Sequence, residues 1–477
     1  MSESFEGVHR TVCNIISYGV GHVLNDLCAS MWFTYLLAYL QGVVEFDSYL
    51  AGCLLLFGQI VDAISTPFVG IESDATSGFF NYGKRKSWHL LGCICVALSY
   101  PFIFCNVFQS YNPSSTAKFI FYAPLVAIFQ FGWASCQISH LSMIPLLTNK
   151  DSFRDELNAC RYIFTVLSNI TVYCLIWILL GNDKESALTP SDQKVFTYLV
   201  LIIVGIGICC VIFYHVGCKE PSVNRRMSKL VSESQIQTST DVKNLKVTPL
   251  MWLKQRKFYQ ISVIYMCTRL IINISQTYLT MYLPNSVDLQ KKYIAIIPLV
   301  VFVSSLVNSF LVKYIDKAIG RKLTFLTGLL LIAGSSTWFM FICKEIGCNK
   351  QVFGAAVLLG AGGSTLLIES LSLTADLIGC HTESGAFVYG SMSFTDKLSN
   401  GVAVMIIQLY NPCGKLHKCD AGAAYFRDIM VFVPAGSAAL ALLFLLSLCG
   451  DDVGNLTVKK RKKATEEDAL LGNETIS

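Results

Sequence analysis

The chain has 477 residues, 53% of them apolar and only 14% charged, with a mean hydropathy of +0.53. Ordinary globular proteins carry about 25% charged residues, so this chain cannot cover a water-facing surface of its size, and disordered, coiled-coil, collagen-like and disulfide-rich secreted classes are excluded with it. The net charge of +5 is weak evidence for an anionic partner; a chain solvated by lipid fits better, because twelve spans of about 20 apolar residues would use roughly half of it.

In chain order, Met1 to Arg10 is polar, and the apolar run behind it is long enough to span rather than to serve as a cleaved leader. Hydropathy predicts spans at 12–41, 47–70, 87–108, 117–147, 156–181 and 194–218. A polar linker follows, and six further spans lie at 258–283, 293–315, 323–343, 351–377, 385–409 and 425–449. The expected fold is an all-α membrane protein of twelve transmembrane helices in two pseudo-symmetric six-helix bundles. The bundles are expected at residues 1–218 and 252–449, with a cytosolic linker at 219–251 and a cytosolic tail at 450–477. Of the 37 Lys and Arg, 24 fall on the side of the termini and linker and 10 on the other. The positive-inside bias therefore predicts cytosolic termini. The basic runs Lys84 to Lys86 and Lys459 to Lys463 are topology anchors on this view, and no nucleic-acid partner is expected.

Most of the 19 cysteines, such as Cys28, Cys53, Cys93, Cys136, Cys209 and Cys267, lie in apolar runs and count as small hydrophobes. Cys348, Cys413 and Cys419 fall in loops on one predicted side, where Cys413 and Cys419 are close enough in sequence to be bridged or free. No phosphate loop, metal-ligand spacing or nucleophile motif appears. Neither an enzyme nor a cofactor is expected.

The halves repeat. Thr34-Tyr35-Leu36 ends the first span and Thr277-Tyr278-Leu279 ends the seventh, an offset of 243 residues. Asp74 and then Gly83-Lys84-Arg85-Lys86 follow span two; Asp316 and then Gly320-Arg321-Lys322 follow span eight, at nearly the same offset. Duplicated six-span halves are a transporter architecture, with the site between the halves near the bilayer midplane. The paired loops resemble the signature of the major facilitator superfamily. The resemblance assigns Asp74, Lys84, Arg85, Asp316 and Arg321 to a cytosolic gate.

A charge at mid-bilayer costs about 2.5–3.5 kcal/mol on insertion scales. Charged residues inside predicted spans are therefore functional candidates: Asp26, Asp62, Arg161, Arg269, Glu369, Asp396 and Lys397. Arg269 lies about 18 Å beyond Lys257 along a helix. Asp26 and Arg269 occupy equivalent positions in the repeat, which predicts that they face each other across the pseudo-twofold axis, as a structural salt bridge or as a polar clamp on substrate or a coupling proton. Asp396 and Lys397 point about 100° apart and are not each other's partners. His22, one turn before Asp26, is a titrating histidine or a hydrogen-bonded structural one.

Tyr18-Gly19, Asn25-Asp26, Asp62-Ala63-Ile64, Pro67 and Lys397 resemble the melibiose-type cation symporters of that superfamily. The resemblance implies substrate and coupling roles for Asp26, Asp62, Arg161 and Lys397. Thr66 and Gln137 stand where that family has further aspartates, which counts against sodium coupling. Longer runs, Leu24 to Leu37, Phe131 to Ser135, Gln137 to Ser142 and Gly385 to Phe394, resemble an animal branch of the superfamily associated with cysteine uptake into lysosomes and melanosomes. That branch implies a cysteine transporter, with protons as candidate coupling ion and Asn25 and Gln137 beside the charged residues at the site. A sugar symporter and a non-transporting receptor or scaffold are the alternatives. Glu466, Leu470 and Leu471 in the tail resemble an acidic dileucine signal, which implies clathrin adaptors as partners.

Overall fold

The computed structural model describes residues 12–448, except 221–248 and the short segments 77, 79–81, 106, 109–112, 149–150, 182–184, 343–349, 380–384 and 414–419. Among the described residues twelve long helices cross the molecule. The first bundle holds α1 (Val12–Gly42), α2 (Ser48–Ala75), α3 (Lys84–Phe104), α4 (Ser115–Leu141), α5 (Asp151–Leu180) and α6 (Gln193–Gly217). The second holds α7 (Arg256–Ser286), α8 (Tyr293–Ile319), α9 (Arg321–Phe341), α10 (Gln351–Ile378), α11 (Gly385–Leu409) and α12 (Asp420–Ser447). The even number puts the start of α1 and the ends of α6 and α12 on one face, here the terminus face; the opposite is the far face.

The helices form where the apolar runs predicted them, with ends moved by local chemistry. The fourth span stops at Leu141, and Ser142 separates it from a four-residue turn that carries a proline at its start. Proline lacks the amide that a continuing helix needs. The first helix is interrupted by a 3-10 turn at Val20–His22, one turn before Asp26. Ten helices carry an apolar stretch sufficient for a membrane span. The two that fall short, α7 and α11, bear Arg269, Asn273 and Gln276, and Asp396, Lys397 and Asn400. Their polar residues face the middle of the protein, so hydropathy is lowest on the helices nearest the site. Outward faces are apolar: Ile64, Leu98, Ile120, Ile178, Phe310 and Phe341 are all more than half exposed, an arrangement suited to lipid rather than water.

Both halves fold their basic loops alike. Gly83 caps α3 with φ 110° and ψ 147°, and Gly320 caps α9 with φ 82° and ψ 156°. That region suits glycine alone at no cost, so the duplication is visible in backbone conformation as well as in sequence.

Candidate functional site

Equivalent helices α1 and α7 meet where the repeat places them together. Thr277 Oγ1 donates to the Phe33 carbonyl at 2.8 Å, Gln276 Nε2 to Thr34 Oγ1 at 2.8 Å, and Thr280 Oγ1 to the Thr34 carbonyl at 3.1 Å. Toward the far face the bundles are sealed by further polar contacts. Gln41 bonds Gln408, Asn411 Nδ2 donates to Ser48 Oγ at 3.1 Å, and the buried Lys291 ammonium lies 2.9 Å from both Glu185 and Asp192.

The expected Asp26–Arg269 pair does not form. Both lie eight residues, about 12 Å, toward the terminus face from the Thr34/Thr277 crossing. Two helices related by a twofold axis touch at their crossing and diverge beyond it. Each charge has found a partner inside its own bundle instead.

In the first bundle Asp26 Oδ1 is 2.9 Å from His22 Nδ1, and Asp26 Oδ2 accepts from Thr165 Oγ1 at 2.8 Å. Arg161 Nη2 lies 3.3 Å from His22 Nε2. A guanidinium only donates, so Nε2 accepts and Nδ1 carries the proton given to Asp26. His22 and Asp26 are buried, at 5% and 7% exposure, which makes an unpaired charge there expensive. Asn25 donates Nδ2 to the Trp133 carbonyl at 3.1 Å, leaving its buried Oδ1 without a partner.

In the second bundle the signs are exchanged. Arg269 Nε donates to Asp396 Oδ2 at 2.9 Å, and Asn400 Nδ2 donates to Asp396 Oδ1 at 2.6 Å. The first helix of one bundle carries the acid and that of the other the base; the fifth helices, α5 and α11, supply the complements. The Arg269 side chain is 26% exposed although it lies mid-helix, so the space beside it is open.

A third unit bridges the bundles. Lys397 Nζ is 2.8 Å from Asp62 Oδ1 and donates to Thr66 Oγ1 at 2.8 Å. Thr66 thus accepts a charge-assisted hydrogen bond from the lysine through a neutral hydroxyl. Helices α2 and α11 run antiparallel here, and Gly401 lets α11 approach Leu56 closely. About two turns further toward the terminus face the same register brings Gly70 opposite Gly390, and a methyl group added at either would meet nothing within 4 Å. The pair is therefore tight at mid-depth and at the far face and open toward the terminus face.

About one to two turns from the three units toward the far face lies a pocket of about 350 Å³, its open mouth included, whose lining includes Trp32, Phe33, Gln59, Asn273, Thr277 and Asn400. Asn273 and Asn400 stand one turn beyond Arg269 and Asp396, and Gln59 one turn from Asp62, so the polar wall and the charges belong to one surface. Gln137 is half-buried on α4 and takes no side-chain partner among the described residues.

The loop residues bind within their bundles. Arg321 contacts Asp376 and donates to the Ser372 carbonyl at 3.2 Å, with Glu369 at 3.8 Å. That places Glu369 beside the loop rather than at the pocket. Arg85 bonds Ser73 through its guanidinium, and the Glu220 carboxylate accepts from the Arg85 and Lys86 amides at 2.9 and 3.1 Å. The basic residue behind each loop also reaches the last helix of its bundle: Lys86 Nζ donates to the His215 carbonyl and Lys322 Nζ to that of Leu448. Lys84 lies at the start of α3 and Asp316 near the end of α8. The Asp74 side chain lies outside the described residues, as do Glu466, Leu470 and Leu471. Cys413 is disulfide-bonded, and Cys348 and Cys419 lie outside the described residues.

Three comparisons fit this geometry. The family described as MFS/sugar transport protein matches residues 17–449. The chain belongs to that family, within the major facilitator superfamily. It is 47% identical over 452 residues to human major facilitator superfamily domain-containing protein 12, covering 91% of this chain and 92% of the relative. The mouse protein of the same name is 45% identical over 449 residues, with the same coverage. Among solved structures, a D-xylose–proton symporter superposes with a TM-score of 0.68 at 13% identity, over 92% of this chain and 98% of that one. The chain is a secondary transporter of a small molecule across a bilayer.

Sequence reasoning missed Thr165, Asn400 and the Arg269–Asp396 pairing. The first two are polar residues four positions from charges, at Arg161 and Asp396; that spacing, on one helix face, is the signal that would have found them.

Proposed function

We propose that this transporter carries cysteine from the cytosol into the lumen of lysosomes and melanosomes by alternating access, driven by protons. The observation behind this reading is the exchange of acid and base between the two bundles. A zwitterion entering between them meets the Asp26 carboxylate on one side for its ammonium and the Arg269 guanidinium on the other for its carboxylate. The basic loops place the terminus face in the cytosol, so the conformer with a sealed far face is the one that loads from the cytosol. Asp62 and Lys397 hold the bundles together at mid-depth, and Arg85, Arg321 and their loop partners act as the cytosolic gate with Lys84, Asp74 and Asp316. The domain limits 1–218, 219–251, 252–449 and 450–477, drawn from the apolar runs, belong to the same proposal.

Proton coupling is assigned to His22. The titratable and charged groups that face it are Asp26 on α1, Arg161 on α5, His140 on α4 and His89 on α3. A second proton would turn Nε2 into a donor aimed at the Arg161 guanidinium. Protonation therefore requires that contact to break, which frees Arg161 and turns the His22–Asp26 hydrogen bond into an ion pair.

Uptake of labelled L-cysteine tests the reading, in cells whose Leu470→Ala with Leu471→Ala variant brings the protein to the plasma membrane. The expected result is saturable uptake that external acid slows, because inward cysteine exchanges for outward protons. Competition by a zwitterion but not by cysteine methyl ester would follow, because the ester lacks the carboxylate. Transport of D-xylose in the absence of any cysteine flux would overturn the reading in favour of a sugar. An unchanged lysosomal location of the dileucine variant would move the sorting signal, and adaptor recruitment, elsewhere.

A further inference from the structure

One cluster in the first bundle takes no part in the site described above. His89, Cys93 and Cys136, all buried, bring one nitrogen and two sulfurs within 4.8 Å of one another. The local sequence explains the meeting. His89 and Cys93 are four apart on α3 and share a face. Cys136 comes from α4, which approaches α3 so closely that a methyl group on Gly92 would stand 2.6 Å from the Gly132 carbonyl and 2.7 Å from the Cys136 amide. His215, near the end of α6, adds a fourth donor, with Nε2 3.0 Å from His89 Nδ1, and stands near enough to Cys93 to interact with it electrostatically.

We propose that these four side chains form a buried Cys2His2 site for a zinc ion, joining α3, α4 and α6 near the terminus face. Three observations carry it. The first is spacing. The Cys93 and Cys136 sulfurs are 3.4 Å apart, Cys93 Sγ is 3.6 Å from His89 Nδ1, and the two histidine nitrogens are 3.0 Å apart. Zinc bonds of about 2.3 Å to sulfur and 2.0–2.1 Å to nitrogen give tetrahedral edges of about 3.3–3.8 Å, so His89, Cys93 and Cys136, whose donors all lie within 4.8 Å of one another, stand near three corners of the shell, and His215 moves in from beside His89 to close it. The second is the outer shell. His89 Nε2 is 3.0 Å from the Gly21 carbonyl, which only accepts, so Nε2 carries the proton and Nδ1 turns its lone pair to the cluster. His215 Nδ1 is 2.9 Å from the Tyr82 hydroxyl, which can accept its proton and leave Nε2 free to ligate. Ligating histidines are commonly held in this manner. The third is charge. Two thiolates and a divalent ion sum to zero, the one total that a site among apolar helices tolerates at little cost. Zinc therefore fits better than monovalent copper, which would leave a net negative charge.

On binding, each thiol loses its proton to solvent and the sulfur donates a lone pair to the metal; no electron is transferred. The ion would pin the ends of three helices beside the 3-10 turn of α1 through His89 and Gly21, leaving His22 and Asp26 to move on a fixed frame. No contiguous zinc motif marks the site in the sequence, since its ligands come from three helices.

The test is metal content and spectroscopy of the full-length protein purified without chelator. The expected result is about one zinc per chain, falling at least tenfold in Cys93→Ser with Cys136→Ser. Cobalt exchanged into the wild-type protein should show thiolate-to-cobalt charge transfer and tetrahedral visible bands, both weakened in Cys136→Ser and shifted in His215→Gln. If the double variant folds poorly, the single variants still carry the test, because each alters the cobalt spectrum of whatever protein remains folded. A zinc-selective chelator should lower the thermal midpoint of the wild type by several degrees and leave the double variant unmoved. Metal-free protein whose two thiols are both alkylated without denaturant, or a Cys93–Cys136 disulfide in mass spectra of non-reduced protein, would overturn the proposal. So would bound zinc that survives both serine substitutions.

Discussion

The charged units of the two bundles occupy matching places on α1 and α5 and on α7 and α11, yet they are built differently. In the second bundle Arg269 and Asp396 touch directly, and Asn400 closes the other carboxylate oxygen. In the first, Arg161 reaches Asp26 only through His22, and Thr165 takes the second oxygen. A direct buried pair is a fixed element: removing one partner strands the other. An acid linked to its base through an imidazole can change its proton count. The duplicated fold therefore holds one unit suited to position and one suited to titrate.

The comparison breaks most severely at Arg269→Gln, which leaves Asp396 buried and uncompensated. We expect a loss of about 3–5 kcal/mol, read as a large drop in the thermal midpoint of purified protein. Adding Asp396→Asn should restore most of the stability and none of the transport. If Arg269→Gln alone unfolds like the wild type, the pair is not the fixed unit assigned here. Asp26→Asn should cost less, about 1–3 kcal/mol, because the amide keeps a partner in Thr165. Its loss of uptake should be as complete as that of Arg269→Gln, in a labelled-cysteine assay at matched surface amounts. His22→Gln should cost about 1 kcal/mol and remove the pH dependence of uptake while leaving residual flux. A pH dependence that persists in that variant would move coupling away from the first bundle.

The smallest effect sharpens the account of the open face. Gly70→Ala and Gly390→Ala should each be neutral or stabilising by up to about 1 kcal/mol, since alanine favours a helix over glycine and nothing is in the way. Both should raise labelling, from the terminus face, of a cysteine placed on the pocket wall by Asn273→Cys, because closing that face brings the two positions together. Unchanged labelling in the double variant would show that α2 and α11 close by another contact.

The spans, the twelve-helix count and the duplication were all legible in the sequence, because lipid demands a minimum length and an apolar outer face of each spanning helix. The offset of 243 residues holds at Thr34 and Thr277, where the helices cross. It failed at Asp26 and Arg269, since equivalence under a twofold axis implies contact only on the axis. Asp62, Arg269, Asp396 and Lys397 were legible as charges inside spans; in the structure Asp62 meets Lys397, and Asp396 turns away from Lys397 toward Arg269. Their pairings were not, because they depend on which helices neighbour one another. Reading His22 as structural or titrating left open the part it plays between Asp26 and Arg161. Counting Cys93 and Cys136 as small hydrophobes overlooked what a close α3–α4 approach does to two thiols.

The central claim is that each bundle completes its own charged unit and that the substrate, not a salt bridge, joins Asp26 to Arg269. A double-mutant cycle on Asp26→Asn and Arg269→Gln, read as thermal stability of the purified, substrate-free protein, measures it directly. The account predicts a coupling energy below about 0.5 kcal/mol, the additivity of separated sites, against a coupling of more than about 1 kcal/mol in the matching Arg269 and Asp396 cycle. A coupling between Asp26 and Arg269 as large as that of the contacting pair would contradict it.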